Sequence, residues 1–285
     1  MDMQTYRFCS LYSGSRGNSA YLETPHARIL IDAGKCTRTL VSSLASIGVD
    51  IDTIDAIFVT HDHGDHVAAL ENLAKKHPIP VHILYESALR YKKTQPRDLC
   101  QCLHLYKSAP FTAMVGDVTV TSFKTPHDSR ASVGYRFEIT DTDHGAPICI
   151  GYATDIGYVS PEVREGMVGC ETVVLESNHD EEMLMSGPYP YDLKLRIRSR
   201  HGHLSNRECA DFASDLAAGG CRRLLLAHLS EENNIPAIAY DETFAAVSDR
   251  GVDLRIAAPD AVTMLVGEAT AVIPKTPLAG GEVSL

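Results

Sequence analysis

Short apolar runs alternate with clusters of turn-forming residues along most of this chain, a pattern that predicts strands first. Residues 6–12, 19–24 and 28–32 read as strands, separated by Ser13-Gly14-Ser15-Arg16-Gly17-Asn18 and by Pro25-His26. Ala56-Ile57-Phe58-Val59 is a buried strand, and further strand-like stretches occupy 81–84, 117–123, 131–139, 147–152, 171–176 and 222–227. Helices are expected over 36–47, 67–76, 161–167, 205–218 and 235–248. Strands form meanders at first and later alternate with helices. The expected class is therefore α/β, with two mixed sheets packed face to face and helices outside, a four-layer αββα sandwich. No repeat, low-complexity segment or long linker interrupts the pattern. We expect one domain over residues 1–265, followed by a loose tail over 266–285.

Composition narrows the setting. Hydrophobic residues make up 44% and charged residues 22% of the 285 positions, as in ordinary globular proteins. No apolar run approaches the roughly 20 residues that a membrane span needs. The first residues, Met1-Asp2-Met3-Gln4-Thr5-Tyr6-Arg7, carry neither a basic nor an apolar leader segment, so the expected location is the cytoplasm. Eight cysteines are scattered, several within apolar runs, and are read as reduced and structural. Cys100 and Cys102 lack both the spacing and the second pair of a zinc knuckle. The net charge of −11 argues against binding a polyanion through the overall field, while leaving room for a local basic track.

The chemistry concentrates just past the strand at 56–59. His61-Asp62-His63-Gly64-Asp65-His66 places three imidazoles and two carboxylates in six residues. These are ligands that zinc and similar divalent ions prefer, and as packing each would be a polar group needing a partner. Three more ligand types stand where later strands surface: His127 after Phe123-Lys124-Thr125-Pro126, Asp155 after Gly151-Tyr152-Ala153-Thr154, and His228 after Leu224-Leu225-Leu226-Ala227.

This ordered set resembles the signature of the metallo-β-lactamase fold superfamily. The resemblance implies one metal held by His61, His63 and His127, a second by Asp65, His66 and His228, and Asp155 bridging. It implies two divalent ions, zinc or manganese, sharing a hydroxide nucleophile that Asp65 also holds in line. Leu11-Tyr12-Ser13-Gly14-Ser15-Arg16-Gly17-Asn18, Leu175-Glu176-Ser177-Asn178-His179-Asp180, Gly202-His203-Leu204-Ser205-Asn206 and Ala227-His228-Leu229-Ser230 are similar to the YycJ (WalJ)-like branch. That likeness runs from about residue 7 to 260 and implies a metal-dependent nuclease acting on DNA from 5′ ends. Glu176 and His203 resemble a carboxylate–histidine pair that delivers the leaving-group proton; the competing reading is a helix cap and a loop histidine. A small-molecule thioester, lactone or cyclic phosphodiester hydrolase with the same metals is the alternative function.

Substrate contacts are read more loosely. His179 is a phosphate donor, a support for a ligand, or an exposed residue. Ser13, Ser15 and Asn18 cradle an anion or form a plain hairpin turn. Ser205 binds phosphate or caps the helix at 205–218. From Pro188 to Glu208, Lys194, Arg196, Arg198, Arg200 and Arg207 oppose only Asp192 and Glu208, a local net of +3. This island beside His203 is expected to meet a nucleic-acid backbone, with Lys194, Arg198 and His201 on one helical face if a helix extends that far. Arg90, Lys92, Lys93 and Arg97 form a second cluster, and Tyr189 and Tyr191 offer stacking platforms or core-packed loop residues.

Overall fold

The computed structural model describes residues 6–140 and 147–267. In chain order the first six strands are β1 Arg7–Tyr12, β2 Ser19–Glu23, β3 Arg28–Ile31, β4 Ala56–Phe58, β5 Val81–Leu84 and β6 Leu103–Tyr106. The next seven are β7 Thr112–Val115, β8 Val118–Lys124, β9 Val133–Ile139, β10 Ile148–Ala153, β11 Thr172–Glu176, β12 Arg223–Ala227 and β13 Asp253–Ile256. A last strand, β14 Thr263–Val266, returns to the first sheet. The two seven-stranded sheets run β14-β1-β2-β3-β4-β5-β6 and β13-β12-β11-β10-β9-β8-β7. Each mixes antiparallel hairpins with a parallel run, β3 to β6 in one and β10 to β13 in the other.

Strand alternation sorts the side chains into layers. Ile29, Ile31 and Phe58 of the first sheet meet Val120, Tyr135, Phe137 and Leu225 of the second in one dry core. Phe58 packs edge-on against Tyr135 at 5.6 Å between ring centroids and against Phe137 at 6.4 Å. Leu30 and Ile57 point the other way, under helices. Those helices are α1 Thr37–Ser46, α2 Gly64–Val67, α3 Leu70–Ala74, α4 Tyr85–Ala88 and α5 Arg97–Cys102. Later come α6 Pro161–Met167, α7 Glu181–Ser186, α8 Tyr191–Ile197, α9 Asn206–Ala218 and α10 Pro236–Val247. Val163, Met167, Phe212, Leu216 and Ala239 from α6, α9 and α10 cover Val173, Leu175, Leu224 and Leu226 on the outside of the second sheet. The result is the expected four-layer αββα sandwich.

The strands expected between 6 and 32, at 56–59 and from 117 to 227 form within one or two residues of their expected ends. The helix expected over 67–76 does not form as one piece. It starts earlier, at Gly64, and breaks between Val67 and Leu70. The Ala33 amide donates to the His66 carbonyl at 2.8 Å, the Ala69 amide to the Ala33 carbonyl at 2.9 Å, and the Asn18 amide to the Asp65 carbonyl at 2.8 Å. Tertiary partners thus take groups that a continuous helix would have paired internally. Strands β6, β7, β13 and β14 and helices α4, α5, α7 and α8 add to the expected elements. Each is four to seven residues long, too short for a periodic signal. The expected tail at 266–285 lies outside the described residues beyond Gly267, and Val266 itself closes β14. All eight cysteines are free thiols. Among the described residues no helix is long and apolar enough to cross a membrane.

The break around Ala33 makes Gly34 a crossing point of three segments. A Cβ there would overlap the Asp65 carbonyl and crowd the Asn18 amide, whereas a Cβ at Gly64 would meet nothing within 4 Å. Gly34→Ala should therefore destabilise the protein by about 1–3 kcal/mol and displace Asp65, while Gly64→Ala should stay within about 0.5 kcal/mol of the parent. Denaturant melts of the two variants, with metal content measured in parallel, check this.

Candidate metal centre and cleft

The seven ligand types marked in the sequence converge at one end of the sandwich. His61, His63, Asp65 and His66 follow β4, while His127, Asp155 and His228 follow β8, β10 and β12. One ligand atom each from His61, His63 and His127 lies within 4.8 Å of the others. The same limit holds for Asp65, His66 and His228, and for His61, His66 and Asp155. Asp155 stands between the groups, with Oδ2 at 3.2 Å from His66 Nε2 and Oδ1 at 3.7 Å from His127 Nε2 and 3.6 Å from His228 Nε2.

The backbone is bent to make this possible. Asp32, Asp155 and His228, at the ends of β3, β10 and β12, hold φ of 60°, 57° and 56°. Left-handed backbone costs a non-glycine residue on the order of 1–3 kcal/mol, so surrounding contacts must hold each in place. Most of those contacts aim the imidazoles. His66 Nδ1 bonds the buried Asp32 carboxylate at 2.8 Å, and Asp32 also accepts from the Thr60 amide and hydroxyl at 2.8 Å each. His127 Nδ1 donates to the Gly202 carbonyl at 3.1 Å. His228 Nδ1 donates to Glu176 at 2.9 Å. In each case the Nε2 edge is left facing the centre.

The donor set fits divalent cations. His61 Nε2, His228 Nε2 and Asp155 Oδ2 are buried and have no hydrogen-bond partner, and such groups are costly unless something binds them. The His61 ring lies 4.1 to 4.9 Å, centroid to centroid, from those of His63, His66 and His127, so lone pairs converge on shared points. Burial and the neighbouring His66 push the His61 imidazole well below its usual pKa, keeping it neutral as a ligand must be. Burial opposes ionisation of Asp155, yet the surrounding histidines hold its carboxyl well below the ordinary range.

Glu176 is fully buried at the end of β11. Its Oε2 accepts from the Ile156 amide at 2.9 Å and the Leu204 amide at 3.1 Å. Its Oε1 takes His203 Nδ1 at 2.8 Å and His228 Nδ1 at 2.9 Å. Burial disfavours the charge, but His203 and these hydrogen bonds bring Glu176 down to about 2. Reciprocally, burial lowers and Glu176 raises the His203 imidazole, with the rise winning. The His203 side chain is 22% exposed. It forms part of the wall of a cavity of about 210 Å³, together with Ser15, Asp128, Asn178, Tyr189 and Arg196.

The other marked residues divide. Ser15 and Arg196 line the cavity, and Arg196 Nε is tied to Asp128, whose Oδ1 lies 3.5 Å from His127 Nε2. Ser13 and Asn18 are buried and do not line it: the Ser13 hydroxyl accepts from the His228 amide at 2.8 Å, and Asn18 Nδ2 donates to Asp65 at 3.3 Å. Ser205 caps α9 in a reciprocal box with Glu208. His179 is buried, with an unpartnered Nδ1, beside a second cavity of about 270 Å³ that Arg198, Arg207 and Ser205 also line.

The basic island is only partly free. Lys194 is buried and donates to the Met185 and Gly187 carbonyls at 2.8 and 2.7 Å, and Arg200 stacks on Tyr158 at 4.1 Å. Helix α8 ends at Ile197, so His201 does not share its face. In the second cluster Arg90 donates to the Asp62 carbonyl, while Asp62 itself turns from the centre to bind Arg130. Among the stacking candidates Tyr189 lines the cavity and Tyr191 is exposed at the start of α8. Asp32 and Asn178, which donates to the His228 carbonyl at 2.9 Å, went unmarked in the sequence. For Asp32 a signal was present, since it too ends an apolar strand, Ile29-Leu30-Ile31.

Asp32→Asn should lower metal affinity about 10- to 100-fold with the fold retained, because the hydrogen bond that orients and polarises His66 is weakened. Metal titration of the variant, with circular dichroism as the fold control, reads this out.

Comparison with known proteins agrees with this geometry. Residues 27–229 match the family model described as a beta-lactamase superfamily domain. The chain is 33% identical over 268 residues to exodeoxyribonuclease WalJ of Streptococcus pneumoniae, covering 91% of this chain and 97% of that protein. It is 31% identical over 244 residues to exodeoxyribonuclease YycJ of Bacillus anthracis, covering 86% and 90%. The metallo-β-lactamase fold protein YhfI from Bacillus subtilis superposes with a TM-score of 0.68 at 18% identity, covering 92% of this chain and all of that one. The chain therefore belongs to the β-lactamase superfamily, as a metal-dependent hydrolase of the metallo-β-lactamase fold.

Proposed function

We propose that this protein is a two-metal phosphodiesterase that degrades DNA from 5′ ends. The observation that carries the reading is the Glu176–His203 pair at the mouth of the cluster, with His203 turned into the cleft and Glu176 locked behind it. The likeness to two exodeoxyribonucleases over most of the chain supports nucleic acid, and DNA in particular, as the substrate class.

His61, His63 and His127 would hold one ion, Asp65, His66 and His228 the other, with Asp155 between them. Zinc or manganese bound there would supply Lewis-acid stabilisation of charge on the phosphate and a water activated at neutral pH. The chain's own groups do the rest. Asp65 accepts a hydrogen bond from the attacking water and keeps it in line. His203 gives the proton on its cleft-facing nitrogen to the departing sugar oxygen, and Glu176 stabilises the imidazolium before transfer and holds the ring afterwards. Arg196, oriented by Asp128, neutralises a phosphate next to the scissile one. Asn18, Ser13 and Asp32 hold Asp65, His228 and His66 in position rather than touch substrate.

Purified, metal-loaded protein should shorten 5′-phosphorylated DNA, lose activity on chelation and regain it when zinc or manganese is returned. Turnover of small esters or cyclic phosphodiesters with every oligonucleotide left intact would point to the small-molecule alternative. His61→Ala and Asp155→Ala should abolish cleavage through loss of bound metal. His203→Ala should lower kcat about 10²- to 10⁴-fold with metal content unchanged; single-turnover assays alongside metal analysis separate the two effects.

A further inference from the structure

A larger cavity of about 380 Å³ lies beside the centre, its wall including His127. This volume falls within the roughly 300–1,000 Å³ of small-ligand sites. Three cations line it, Lys107, Lys124 and Arg130, against a single carboxylate, Glu86. Lys107 sits after β6 and Lys124 ends β8, so two separate strand ends of the two sheets aim charge at one space. Both lysines are exposed, and neither has a carboxylate within 4 Å among the described residues. Glu162 acts on Lys124 only through space, from outside the lining. Arg130 is pinned at the wall by Asp62, inside the metal-binding segment itself. The Ser129 hydroxyl in the same wall has no hydrogen-bond partner.

The opposite flank differs. The cavity beside His179 sets Arg198 and Arg207 against Glu181, Glu208 and Asp211. In a chain of net charge −11, the excess of positive charge next to the centre therefore lies on the Lys107–Lys124 side. Its lining also holds no Phe, Tyr or Trp on which a base would stack. Such a surface suits phosphates rather than bases.

We propose that this groove carries the single-stranded backbone next to the scissile bond, Lys107 and Lys124 each meeting one phosphate; the proposal rests on the nuclease reading above. Binding through it is sequence-tolerant and salt-sensitive. It acts only on substrates long enough to reach from the metals into the groove.

The test is a steady-state comparison of the metal-loaded parent, K107E/K124E, the milder K107Q/K124Q and a control, K75E/K76E, which makes the same charge change at exposed lysines outside the groove lining. Substrates are a 5′-phosphorylated thymidine 12-mer, the corresponding 3-mer and bis(p-nitrophenyl) phosphate. For K107E/K124E on the 12-mer, KM should rise tenfold or more with kcat within twofold. The slope of log affinity against log salt should flatten by about 1.4, near 0.7 for each single-strand phosphate that a lysine no longer neutralises. K107Q/K124Q should show a smaller rise, and hydrolysis of the small diester, which also reports folding, should not change. A KM shift on the 12-mer no larger than that of K75E/K76E, or an equal shift on the 3-mer, overturns the groove and leaves the nuclease reading standing. A parent that hydrolyses the small diester and neither oligonucleotide removes the nuclease reading and the groove together.

Discussion

Glu176 is a carboxylate with no access to solvent, and it survives as an anion only because four donors from three places in the chain surround it. Those donors are the Ile156 amide in the turn after β10, the His203 ring and Leu204 amide in the loop before α9, and the His228 ring after β12. Removing one donor would leave a buried charge short of a partner, which is among the more costly defects a protein interior can hold. The parallel strands β10, β11 and β12 are thereby fastened to one another beyond their ladders, at the end where their side chains must be placed most accurately. One oxygen serves the metal side through His228, and also the cleft through His203. The positions of two imidazoles, one in the candidate centre and one in the cleft, are consequently set by the same atom.

The sandwich explains why such a site can exist at one end of it. Parallel strands deliver several chain ends to one edge, and turns leaving that edge carry the polar residues that the core excludes. Left-handed backbone at Asp32, Asp155 and His228 then turns side chains inward that a relaxed turn would send elsewhere. At two of these residues the strain is held by hydrogen bonds, from the Thr60 amide to Asp32 and from the His228 amide to the Ser13 hydroxyl. Cations held by the converging imidazoles and carboxylates would add to this, because the candidate ligands arrive from both sheets.

Much of this was legible in the sequence, for identifiable reasons. Buried strands show as unbroken apolar runs, and a His, Asp or Glu where such a run surfaces stands out against it; His61, His127, Asp155, Glu176 and His228 all carry this mark. Asp32 carries it too, but its role depends on the facing ring of His66, which no local pattern displays. The fate of the basic residues was hidden for the same cause. Lys194 and Arg200 look like free charges until α8 and the turn beyond it fold them onto carbonyls and a tyrosine. Lys107 and Lys124 stand seventeen positions apart and share a cavity only because β6 and β8 end side by side across two sheets. The broken helix at Ala68 and Ala69 could not be foreseen from periodicity, since the amides and carbonyls that interrupt it answer to partners more than thirty residues away.

The pairing of β1 with β14 has a further consequence, for the order in which the molecule comes into being. Strand β1 leaves the ribosome long before β14 and lacks this outer neighbour until residues 263–266 emerge. Until then it presents a bare row of amides and carbonyls beside a largely apolar sequence, the kind of edge that recruits foreign strands. His228, the last of the candidate ligands in chain order, also follows most of the strands. While residues between β1 and β12 are being made, the growing chain thus carries an open sheet and an incomplete centre, and both are closed in the stretch from His228 to β14.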